Sequence, residues 1–145
     1  MGPGQASDPS TAAGKAIAAL LHRDYEKWRI WFSVARDDRP VRPNLLLRLV
    51  FSDLARQRFA IDGYEEQIKD FIIKPCVPPD SETFSYLHQE APLRSEFEGE
   101  RLLSGLEAPF MRIRMRYSVL ILEDLGMTRG DADAMIRRHE RALSS

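Results

Sequence analysis

The sequence predicts an all-α protein, a compact bundle of about six to seven helices. Three observations point there. Apolar residues recur at three- and four-residue steps along most of the chain, proline-rich stretches separate those runs, and helix-capping residues stand where the runs begin. One segment, Met111–Val119, admits an α+β alternative and is taken up in its place.

The first periodic run spans Thr11–Arg36, where Ile17, Leu20, Leu21, Tyr25, Trp28, Trp31, Phe32 and Ala35 share one helical face. Ser10 or Thr11 is the expected N-cap. Pro40 and Pro43 make Asp37–Asn44 a loop, since proline disfavours helix at the residue before it. Asn44 is placed to cap a second helix to Arg58 that buries Leu46, Leu47, Val50, Phe51 and Leu54. Asp62 and Glu65 have capping-box spacing for a third, burying Tyr64, Ile68, Phe71 and Ile72. Three prolines make Pro75–Asp80 a rigid connection. Ser81–Gln89 reads as a short helix, and Pro92 as the first turn of the next, with Leu93, Phe97, Leu102, Leu103 and Leu106.

Pro109–Leu125 satisfies two periods. Met111–Val119 alternates strictly, as a half-buried strand does, while Phe110, Ile113, Tyr117, Leu120 and Ile121 share a helical face. Helix is favoured: Pro109 suits N1, Gly126 suits C′, and the span is long for a strand. Thr128 then caps a final helix to about Leu143, with Ala132, Met135, Ile136, His139 and Leu143 aligned.

Residues 1–10 read as a flexible tail and 11–145 as a single helical domain. The 145 residues suffice for one core, and 43% apolar with 30% charged residues is a globular composition. No apolar run approaches the length of a membrane span, and the N-terminus lacks the basic and apolar regions of a secretory signal. With one cysteine, Cys76, the expected setting is a reducing cytoplasm. Arginine outnumbers lysine 17 to 4 along the whole chain, the pattern of a GC-rich genome's codon usage rather than of a functional cluster.

The net charge of −1 conceals a segregation: +4 over residues 1–61, −7 over 62–100 and +2 over 101–145. The acidic middle is expected to lie beside the basic ends. The competing reading is that it faces a basic partner.

Signatures of catalysis are missing: no phosphate-cradling glycine loop, no nucleophile elbow, no histidine pair at metal-ligand spacing. No cofactor and no metal are expected. Cys76, flanked by prolines and near Lys74, is the weak candidate for a nucleophile or redox sensor, with His88 as its base. Asp131, Asp133, His139 and Glu140 cluster on the last helix, where acidic residues in a first turn complement the helix dipole.

Two surfaces remain as candidates. Tyr25, Trp28, Trp31 and Phe32 are expected to anchor the core, and otherwise to seat a protein partner or a second subunit. Near the C-terminus, Ile121–Thr128 followed by Ala132, Met135 and Ile136 resembles the spacing of a helix-turn-helix, which implies phosphate contacts from Arg129, Arg137, Arg138 and Arg141. Leu122, where a small residue is usual, and the acidic Asp131 and Asp133 depart from that pattern. The leading expectation is therefore a non-enzymatic protein–protein interaction module: an adaptor, a regulatory subunit or a small oligomer. DNA binding stands second and an enzyme third.

Overall fold

The computed structural model describes residues 9–37, 41–73, 86–106 and 110–144. Within them the chain is all-helical, with seven α-helices: α1 (Ala12–Leu21), α2 (Tyr25–Ala35), α3 (Pro43–Arg58), α4 (Tyr64–Ile73), α5 (Tyr86–Glu98), α6 (Phe110–Leu125) and α7 (Arg129–Ser144). A 3-10 turn, Glu100–Leu103, follows α5. No strand occurs among the described residues, so Met111–Val119 is helical, inside α6. No described helix is long and apolar enough to cross a membrane.

Helix α3 is the hub, packing against α1, α5, α6 and α7. It buries Leu46, Leu47, Val50, Phe51 and Leu54, the residues its periodicity selects. From α6 come Ile113, Tyr117 and Ile121, from α7 Met135 and Ile136, and from α1 Ile17, Leu20 and Leu21. An aromatic chain runs from Phe59 through Phe71 to Tyr117, with ring centroids 5.5 and 5.4 Å apart. The Tyr117 hydroxyl donates to Gln89 Oε1, which ties α6 to α5 and pairs that buried donor.

Four local expectations are corrected. The run Thr11–Arg36 is two helices, not one, folded into the α1–α2 hairpin. Arg23 takes a left-handed conformation, φ 61°, and Asp24 then caps α2 by accepting from Lys27 N at 3.3 Å. The apolar period survives this break, which is why the run reads as continuous. At α3, Pro43 is the first helical residue and Arg42 the cap position, so Asn44 lies inside the helix. Helix α4 begins at Tyr64, after a turn over 61–63 in which Gly63 has φ 105°. Finally, α5 runs unbroken through Pro92. The proline forgoes one helical hydrogen bond, but Ala91, Pro92 and Leu93 are all buried, and Ser95 Oγ donates to Pro92 O at 2.8 Å. Residues 81–85 and the proline connection Pro75–Asp80 lie outside the described residues.

Part of the segregated charge is paired inside the fold. Arg48 pairs with Glu100 and Arg56 with Glu96 at 3.8 Å, while Ser52 Oγ also donates to Glu96. Basic α3 thus lies along acidic α5, and the two block charges offset each other there.

Candidate functional site

Helix α2 holds Tyr25, Trp28, Trp31 and Phe32; Tyr25 and Trp28 pack against the core from its edge, and none of the four is fully buried. Its principal packing is against α1, and Ala35 is its one fully buried residue. The four aromatics are half-buried. Trp28 and Phe32 stack obliquely at 5.3 Å, and Lys15 Nζ of α1 lies 4.6 Å from the Trp31 ring centroid. The aromatics form the inner flank of a surface helix. Small alanines and Ile17, Leu20 and Leu21 on α1 do the burying that the larger rings were expected to do.

The exposed side of α2 carries two large apolar residues among polar and charged ones. Ile30 is 56% exposed and Val34 54% exposed. These two, four residues apart, lie on one face. They do not stand out in the sequence because the aromatics set the period and charged residues surround Ile30 and Val34 on the other side. The signal was present: Ile30 and Val34 fall between Trp28, Trp31 and Phe32 rather than in step with them.

Beside α2 is a shallow cleft of about 230 Å³, lined among others by Lys15, His22, Asp24, Lys27, Trp31 and Arg129. Asp24 and Lys27 form a loose ion pair at 3.8 Å, and His22 Nε2 meets Asp133 Oδ1 at 3.0 Å.

The arginines implied by the helix-turn-helix spacing are divided. Thr128 and Asp131 cap α7 reciprocally, Asp131 N donating to Thr128 Oγ1 at 3.1 Å and Thr128 N to Asp131 Oδ2 at 3.3 Å. Arg138 donates to Asp53 at 2.7 Å, and Arg137 donates to Ser10 Oγ and lies 3.6 Å from Glu140. Arg141 is exposed on the last turns of α7, and Arg129 lines the cleft. Arg137 and Arg138 are thus held by this chain's own groups. Helix α7 packs on α1 and α3.

The acidic and histidine residues of α7 each join helices. His139 Nε2 meets Asp53 Oδ2 of α3 at 2.8 Å, and Gln57 donates to Asp53 Oδ1 at 2.8 Å. Burial pushes the Asp53 carboxyl up, but hydrogen bonds from His139, Gln57 and Arg138 outweigh it and hold the pKa below its ordinary value. Glu140 is fully buried. It receives Thr11 N at 2.7 Å, Ser10 N at 3.1 Å and the Thr11 hydroxyl, so a carboxylate from α7 sits at the N-terminus of α1. Among the described residues no group of three or more His, Cys, Asp or Glu is placed to hold a metal. His88 is half-buried on α5, and Cys76, its proposed partner, lies outside the described residues.

No family model, no curated protein and no solved structure matches this chain.

Proposed function

We propose that this protein is a non-enzymatic helical interaction module, an adaptor, regulatory subunit or small oligomer of the cytoplasm, and that α2 is its contact surface. One observation carries the reading: α2 rests on α1 alone as its main support and turns Ile30 and Val34 outward, with Trp28, Trp31 and Phe32 half-buried beside them. Holding two large aliphatic side chains in water on the rigid frame of a hairpin costs free energy, and contact with another protein recovers it. Half-buried tryptophans at the edge of such a patch add area at low cost in side-chain entropy.

The histidine–aspartate pairs fit this reading. His22–Asp133 joins α1 to α7 and His139–Asp53 joins α3 to α7, so both stiffen the frame that presents α2. The DNA-binding alternative has less to work with, since Arg137 and Arg138 are already engaged.

The test is site-specific photo-cross-linking in the native cell. A photoreactive residue at position 30 or 34 is expected to give discrete protein adducts. The same residue at Ile61, 78% exposed but in a turn away from α2, serves as control. Equal, diffuse labelling at all three positions overturns the proposal.

A further inference from the structure

We infer that the partner of α2 is a second copy of this chain, bound through an antiparallel pairing of two α2 helices about a two-fold axis. This rests on the reading of α2 as an interaction surface and goes one step further, to the occupant. The ground for it is the order of residues along the outward stripe.

Four exposed residues, Lys27, Ile30, Val34 and Asp37, follow one another at steps of three, four and three. At 100° per residue these positions fall within about 80° of one another around the helix. Arg36, the residue after α2, keeps helical angles (φ −53°, ψ −36°), so Asp37 stays on that path. The stripe is centred about 120° around α2 from the buried Ala35, with Lys27 at its edge beside the cleft.

Read along the helix, the stripe is positive, apolar, apolar, negative. That order is its own complement when reversed. An antiparallel copy centred at the level of Phe32 sets Ile30 against the second Val34, and Val34 against the second Ile30. The same register sets Lys27 against the second Asp37, and Asp37 against the second Lys27. A two-fold contact of this kind uses one patch twice, which is what closed homodimers require. A parallel pairing would instead set Lys27 against Lys27 and Asp37 against Asp37. The antiparallel arrangement also opposes the two helix dipoles. The existing Lys27–Asp24 pair is no obstacle, being 3.8 Å long with the lysine side chain 71% exposed.

A contact one short helix long buries less than a standard interface, so the dimer is weak, with a Kd on the order of 100 µM. Sedimentation equilibrium of the full chain, loaded from low to millimolar concentration, measures it. The wild type is expected to show a monomer–dimer equilibrium. Lys27→Asp and Asp37→Lys, each alone, place like charges together twice per dimer and should weaken it about tenfold or more. The double variant Lys27→Asp, Asp37→Lys restores the complement and should return the Kd to within about threefold of wild type. Ile30→Ser with Val34→Ser should abolish the dimer while circular dichroism stays unchanged.

A wild type that is monomeric throughout overturns the inference. So does a double variant no tighter than the two singles. The interaction reading fails separately: a monomeric wild type that still cross-links at positions 30 and 34 to a different protein removes the self-pairing and leaves α2 as a contact surface.

Discussion

At the residue scale the least replaceable group is Glu140. A fully buried carboxylate is costly unless donors surround it, and here two backbone amides and a hydroxyl from Ser10 and Thr11 do so. Gly14 makes the arrangement possible: a Cβ there would overlap the Glu140 carboxylate. Glu140→Ala leaves those donors without their acceptor and should cost about 3 kcal/mol. Gly14→Ala should cost about 2 kcal/mol by pushing the carboxylate out of place, despite the higher helix propensity of alanine. Urea midpoints of the two variants check both. If Gly14→Ala instead stabilises, the close approach of α1 and α7 is wrong. Neither residue was legible in the sequence as a structural pair. Glu140 stands out only as one of several acidic residues on the last helix, and nothing local marks a carboxylate as the cap of a helix that begins 128 positions earlier.

At the element scale, periodicity located the helices well and their joints poorly. The cores of α3 and α7 are legible largely from spacing, because each buries one face against several neighbours. Met111–Val119 satisfied both periods, and Pro109 and Gly126 at its ends decided for helix. The failures have a common form. His22-Arg23-Asp24 interrupts the first run without a glycine or proline to announce it, and Pro92 announces a break that burial overrides. The first of these carries a prediction. Arg23 holds a positive φ that costs a non-glycine residue about 1 kcal/mol or more. Its ion pair with Glu123 is exposed on both sides and offsets little of that. Arg23→Gly should therefore raise the thermal midpoint, the gain being about 0.5 kcal/mol after the unfolded-state entropy of glycine is set against it. A fall in the midpoint would mean that the Glu123 pair matters more than the backbone. The same misreading hid the candidate site: taken as one long helix, Thr11–Arg36 points its tryptophans into a core, whereas a hairpin places them on a flank.

At the scale of the whole molecule, α7 is held to α1 and α3 by ionisable groups as well as by Met135 and Ile136. Asp53 gives that attachment a pH dependence. Its pKa is lower in the fold than in the unfolded chain, so folding is favoured by its ionised form. The contribution is complete above the ordinary value of 3.8 and is lost as pH falls from there through the folded value. Asp53→Asn should lower stability at pH 7 by about 1–2 kcal/mol. The gap between variant and wild type should close on acidification below pH about 4. A gap that stays constant from pH 7 to pH 3 in urea titrations would show that the carboxylate's charge plays no part. Charge pairing between α3 and α5, expected from the block charges, is likewise a property of the assembled molecule. It was foreseeable only in outline, since sequence states how much charge each segment carries but not which segment lies beside it.

The clasp between Ser10, Thr11 and Glu140 has a consequence for how the chain is made. During synthesis α1 emerges well before α7, which carries its receptor. Until then the start of α1 has no buried carboxylate to meet, and the apolar surface it will share with α7 is open to solvent. Contacts spanning 129 and 130 positions close late and at a large entropic cost. A nascent chain halted before position 140 is thus a chain with an unsealed seam, prone to being held by chaperones until translation resumes.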